Sequence, residues 1–186
     1  LAATGTTGAD GTVTQTLTSK TAGNTLVTAG INGTTRSVTM MFTADSGTAG
    51  LDPAANPGSS LTATSGAKAD NTATNTVTAT VTDANGNPVA GVAVSFTTGA
   101  GSTVVSSPVT TDAAGVASTT VKATLAGAHT VTATVNSSQT VSTTFIADGS
   151  TAGLDPAANP GSSLTATSGA KADNTATNTV TATVTM

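Results

Sequence analysis

The chain has 186 residues, a net charge of −4, only 8% charged residues and no cysteine, tryptophan or tyrosine. Its cations (Lys20, Arg36, Lys68, Lys122 and Lys171) are scattered, so there is neither a basic patch for phosphates nor an aromatic platform for bases, and nucleic-acid binding is excluded. With 37% hydrophobic residues and positive mean hydropathy it also lacks the balance of low hydrophobicity and high charge that keeps a chain disordered.

The alphabet is rich in threonine, alanine, glycine, serine and valine, which suits strands. Taken in order, the first clear turn signal is Asn32-Gly33-Thr34, read as a hairpin turn. Leu61 and Ala63 then mark a strand, and Val77, Ala79 and Val81 alternate with threonines to mark the next. The turn Asp83-Ala84-Asn85-Gly86-Asn87-Pro88 follows, and Val92, Val94 and Phe96 form a further apolar face. Turns at Gly99-Ala100-Gly101 and Asp112-Ala113-Ala114-Gly115 precede a strand carrying Ala117, Thr119 and Val121. Beyond Ala126-Gly127-Ala128, His129, Val131, Ala133 and Val135 share one parity; after Asn136-Ser137-Ser138, Val141, Thr143 and Phe145 share another. Val77, Val81, Val92, Val94, Phe96, Val131 and Phe145 are the expected core. No segment has helical periodicity. About seven short strands in roughly 100 residues predict an antiparallel immunoglobulin-like β-sandwich.

The chain is also repetitive. Thr48 to Thr82 recurs without a change as Thr151 to Thr185, an offset of 103 residues, and VTMMFTAD at Val38 to Asp45 has its counterpart in VSTTFIAD at Val141 to Asp148. Ala22-Gly23 and Ala126-Gly127 lie 104 apart, so one single-residue gap separates the first copy from the second. The predicted organisation is tandem repeats of about 103 residues: the C-terminal part of one at 1–45, a complete one at 46–148 and the N-terminal part of another at 149–186.

The segments VTATVTDANGNPVAGVAVSF (Val77 to Phe96), TTDAAGVASTTV (Thr110 to Val121), AGAHTVTATVNSS (Ala126 to Ser138) and FIAD (Phe145 to Asp148) resemble the bacterial immunoglobulin-like group-one domains repeated in the intimin and invasin (inverse autotransporter) adhesins. The resemblance implies an Ig-like fold and a stalk that projects a distal binding domain from the outer membrane at the cell surface. Neighbouring repeats of the same chain would then be the partners of this segment, and a host or bacterial receptor would be met by a domain outside it. The other reading is an adhesive or self-associating module that works through loops or exposed strand edges. Two features depart from the pattern: the Leu51 to Gly58 segment lengthens the junction, and Met186 stands where the repeat has Asp83.

Sites of chemistry are sparse. His129 is the single histidine and has no cysteine partner; its parity puts it at the inward start of a strand, where it is expected to bond back into the preceding corner, and the aligned residue in the first repeat is Thr25. Asp45 and Asp52 bracket one junction, and Asp148 and Asp155 the next. They are weak candidates for calcium, which takes about 6–8 oxygen ligands, and stronger ones for turn capping. Asn32-Gly33-Thr34 and Asn136-Ser137-Ser138 fit a glycosylation triplet but read as turns. No phosphate-cradling loop, no cofactor and no catalytic constellation is expected. No apolar run approaches the roughly 20 residues of a membrane span. Leu1-Ala2-Ala3-Thr4 lacks the regions of a signal peptide, so an export signal or anchor is expected elsewhere.

Overall fold

A computed structural model describes residues 4–186; the expectation placed on Leu1-Ala2-Ala3 lies outside the described residues. Period-two alternation becomes strands, and among the described residues the one helical element is a short 3-10 turn at Ser46–Thr48. The first hairpin pairs β1 (Gly23–Ile31) with β2 (Thr34–Phe42) through the turn Asn32-Gly33, where both residues have positive φ (50° and 79°). An Asn-Gly pair accepts that left-handed geometry, which matches the twist of the strands it joins.

The middle of the chain is a sandwich of two four-stranded antiparallel sheets. One runs β3 (Ser60–Ala63), β4 (Asn75–Thr80), β8 (Val116–Ala123), β6 (Ser102–Val104); the other runs β10 (Ser138–Phe145), β9 (Gly127–Thr134), β5 (Ala93–Thr98), β7 (Val109–Thr110). Inward residues of both sheets form one core: Val77, Ala79, Val81, Val94, Phe96, Ala117, Val121, Val131, Ala133 and Phe145 are all buried. Val92 is half-buried and packs on that cluster from the residue before β5. Threonines take some inward positions and bond to loop carbonyls there: Thr119 Oγ1 donates to Ser106 O and Thr143 Oγ1 to Thr64 O, each at 2.7 Å. A hydroxyl at a core position thus stays satisfied while its methyl packs.

The sheets are stitched at one edge. After β3 the chain crosses over, and residues 66–69 run parallel to the end of β10, with Gly66 N–H donating to Thr144 O, Ile146 N–H to Ala67 O and Ala69 N–H to Ile146 O. Asn75 secures the crossing by accepting from Ala67 N–H and donating to Thr144 O. A second two-stranded unit, β11 (Ser163–Ala166) with β12 (Val180–Thr183), repeats the register of β3 with β4.

Candidate functional site at the junction

The Asp45 to Ser59 stretch, rich in glycine and proline, has the composition of a linker, yet it is folded onto one pole of the sandwich. Its local rules are readable. Asp45 caps the 3-10 turn, accepting from Gly47 N–H at 3.0 Å and from the Thr48 hydroxyl. Gly50 exchanges backbone hydrogen bonds with Thr82. Asn56 turns back under it to donate from Nδ2 to Thr48 O at 2.7 Å and to Thr82 O at 3.0 Å. A Cβ at Gly50 would overlap the Asn56 side chain, so the approach of Asn56 requires glycine there. Leu51 is fully buried in the sandwich core. The sequence suggests an anchor against a neighbouring repeat; the structure instead makes Leu51 a plug for the pole of its own sandwich, because the Gly50–Thr82 bridge turns its side chain inward. Asn136 Nδ2 donating to Ala49 O and Leu51 N–H donating to Ser137 Oγ close the pole from the other side.

Two side chains of the Asp83 to Pro88 turn reach across this pole to the preceding segment. Asp83, 1% exposed, accepts from Asn85 and Asn87 N–H through Oδ1 and from the Asp45 N–H through Oδ2 at 3.0 Å. Asn87 Nδ2 donates to Asp83 and also to Lys20 O at 2.9 Å, while Asn87 Oδ1 accepts from Ala22 N–H at 2.8 Å. Burial alone pushes the Asp83 carboxyl up. The Asn87 amide and the backbone N–H groups of Asp45, Asn87 and Asn85 outweigh it and hold the group ionised, below the usual carboxylate range. The base of the β1–β2 hairpin is thereby bonded to the next sandwich at both of its ends, near Ala22 and at Asp45.

The remaining candidates are each engaged in local bonds. His129, at the inward start of β9, donates from Nε2 to Leu125 O at 2.8 Å and meets Phe145 edge-on at 5.6 Å, so its ring is occupied in the corner. Asp52 and Asp155 each accept the N–H two residues on, closing turns. Asp148 accepts from the Ser150 hydroxyl and N–H and pairs with Lys68 Nζ at 2.9 Å. Ser150 first, then Lys68, lowers its pKa to about 2, and Asp148 in turn raises that of Lys68. An amine held protonated beside a carboxylate held ionised is an ion pair, not a pair set to condense into an amide. Among the described residues no three His, Cys, Asp or Glu side chains gather around a common point, so Asp45, Asp52, Asp148 and Asp155 stand separately. Two surface depressions are shallow and open: one is lined by Thr76, Ser106, Ser118, Thr119 and Thr120, and another by the junction together with Asn136 and Ser137.

Reasoning from the sequence read Asp83 as a turn former but missed Asn56, Asn87 and the bond from Asp45 N–H to Asp83 across the junction. The signal available was the unchanged Asn56 and Asn159 in the duplicated stretch, where Asn159 Nδ2 donates to Thr151 O at the same 2.7 Å.

Comparison with known proteins places these features. Residues 58–146 match the bacterial Ig-like domain (group 1) family. Among solved structures, that of invasin, a bacterial integrin-binding protein, is similar over 94% of this chain and 34% of its own, at 29% identity and a TM-score of 0.52. The D00-D0 domain of intimin is similar over 66% of this chain and 64% of its own (24% identity, TM-score 0.44). A C-terminal 282-residue intimin fragment, solved with the intimin-binding domain of the translocated intimin receptor, is similar over 50% and 36% (25% identity, TM-score 0.43). This chain therefore spans less than two thirds of each of these structures. No curated protein matches it significantly.

Proposed function

Because residues 58–146 belong to the bacterial Ig-like domain (group 1) family, we propose that this chain is a length of adhesin stalk, a non-enzymatic spacer built of tandem modules with boundaries near residues 45 and 148. In this reading the modules hold a receptor-binding region away from a bacterial cell surface, and both that region and the outer-membrane anchor belong to other parts of the protein. One observation carries the reading: Asp83 and Asn87 bond the preceding hairpin at Lys20, Ala22 and Asp45, which makes the junction a docked interface and not a loose tether. Similarity to invasin over nearly the whole chain supports it, since the likeness extends across the junction and beyond one module. The outer strand faces support it too, because cross-strand partners such as Thr78 with Ser118, and Thr97 with Thr132, offer hydroxyls without the aromatic or arginine anchors that dominate binding surfaces.

Residual dipolar couplings measured on the 186-residue chain test the docked junction. One alignment tensor is expected to fit the β1–β2 hairpin and the sandwich together; two unrelated tensors would mean free articulation and would remove the physical basis of the spacer.

A further inference from the structure

Recognition across the first junction is one-sided: the sandwich contributes side chains, and the preceding hairpin contributes main chain. Asn87 Nδ2 donates to Lys20 O at 2.9 Å while its Oδ1 accepts from Ala22 N–H at 2.8 Å, so one primary amide clasps the two backbone groups that flank Thr21. Asp83 Oδ2 accepts from Asp45 N–H at 3.0 Å. The side chains of those hairpin residues take no part. Lys20 and Thr21 are exposed, and the Asp45 carboxylate accepts from Gly47 N–H and the Thr48 hydroxyl within its own turn.

The middle sandwich carries the same corner with different side chains. Thr124-Leu125-Ala126 corresponds to Lys20-Thr21-Ala22 and differs from it at the first two positions. Even so, the chain bends at 20–21 and at 124–125 alike, and it enters the next strand through a glycine in the left-handed region, Gly23 at φ 126° and Gly127 at φ 118°. What is held constant is the path of the main chain. The second junction repeats this. There the Asp148 N–H, counterpart of the Asp45 N–H, points at Sδ of Met186 (2.8 Å), which stands at the position of Asp83, so the amide keeps its direction when the residue facing it changes.

We infer that the Asp83 to Pro88 turn is a docking site for the main chain of a preceding module, and that its partner is any module of this fold with a bent corner, a left-handed glycine after it and an N–H just past its last strand, whatever side chains lie there. The inference rests on the reading of the chain as tandem modules and adds the rule by which they join. Specificity lies in the shape of the corner, and the reader is fixed by chemistry. Only a primary amide at position 87 supplies both a donor for Lys20 O and an acceptor for Ala22 N–H; an ionised carboxylate has no donor, and an aliphatic side chain has neither. Modules whose surfaces have diverged therefore remain joinable, and positions 20 and 21 are free to vary without loss of the joint.

Amide hydrogen exchange followed by NMR on the 186-residue chain, with residual dipolar couplings from the same samples, tests this. Lys20→Thr combined with Thr21→Leu gives the hairpin the corner of the middle sandwich, and Lys20→Glu reverses the exposed charge. In both, the Ala22 and Asp45 amides are expected to exchange within about threefold of the wild-type rate, and one alignment tensor is expected to keep fitting hairpin and sandwich. Asn87→Ala is expected to speed Ala22 exchange about tenfold, the scale of one lost hydrogen bond, and to require a second tensor while the core amides of the sandwich stay protected. Should Asn87→Ala unfold the sandwich, Asn87→Asp takes its place: it keeps the side-chain shape, withdraws the donor to Lys20 O and is expected to free the hairpin likewise. Loss of protection or of the common tensor in either corner variant would overturn the inference, as would an Asn87 variant that leaves both unchanged. Those outcomes leave the wild type on one tensor and the spacer reading intact, whereas a wild-type chain that itself needs two tensors would overturn both.

Discussion

The side chains that decide this molecule are few because its aromatic content is 2%. Phe96 sits in the core with Val94 beside it on β5, and Phe96→Ala is expected to cost about 3–5 kcal/mol, measured by chemical denaturation of the chain. A loss below about 1 kcal/mol would mean that the core collapses onto the gap. Such core positions were legible because parity in a strand assigns faces, which is why Val77, Val81, Val94, Val131 and Phe145 could be named from spacing alone. Parity is silent on polar partners, so the bonds of Asn75 and Asn87 to distant backbone had no local signature. Asp148 is an electrostatic case. Ser150 and Lys68 depress its folded pKa to about 2, below that of the unfolded chain, so its stabilising effect is complete above the unfolded value and is lost as pH falls through the folded one. Between about pH 4 and pH 2 the melting midpoint of the wild type should fall more steeply than that of Asp148→Asn, which has no proton to gain at that site. Parallel curves through that interval would show that the pair contributes nothing to the acid limb.

At the scale of elements, the junction stretch differs from what its composition suggests. Proline and glycine at Pro53, Pro57 and Gly50 read as linker chemistry, but the prolines restrict the chain to one path and Gly50 admits Asn56 beneath it. The same Asn–Gly packing and the same bridge to the following strand recur at Gly153, Asn159 and Thr185. Leu51→Ala tests whether the junction stretch belongs to the sandwich: it should lower sandwich stability by about 2–5 kcal/mol, the range for an aliphatic core truncation, whereas a linker residue would register almost nothing in the same melt. The short strands β6 and β7 escaped the sequence reading for a related reason. At three and two residues they are too brief for alternation to show, and their pairing is set by the strands they flank, β8 and β5. The hairpin of β1 and β2 also accounts for the single-residue gap between copies, since it joins longer strands by a tighter turn than β9 and β10 do.

For the whole molecule, the question is whether modules add length or fold back on each other. Strands of about 7–8 residues rising about 3.3 Å each, with loops at both poles, make a module roughly 35–40 Å long. The chain enters the sandwich at the pole that holds Asp83 and Asn87 and leaves β10 at the other, next to Asp148, so modules joined in the proposed array would be displaced along the strand direction. At the entry pole the docking bonds are to a buried carboxylate and a buried amide, which bend less readily than exposed contacts. At the exit pole Met186 replaces the aspartate, and Asp148 N–H faces a thioether sulfur, a weak acceptor. A junction carrying aspartate at that position is expected to be stiffer than one carrying methionine, because a carboxylate oxygen is the stronger acceptor. Small-angle scattering on arrays of two, three and four complete modules, each with the Asp83-type junction, should give a maximum dimension that grows almost linearly with module number. Changing every junction aspartate to methionine should shorten the apparent persistence of the array without shortening its modules. A maximum dimension that stays nearly constant as modules are added would mean side-by-side packing, and the displacement of entry and exit to opposite poles would then have no mechanical consequence.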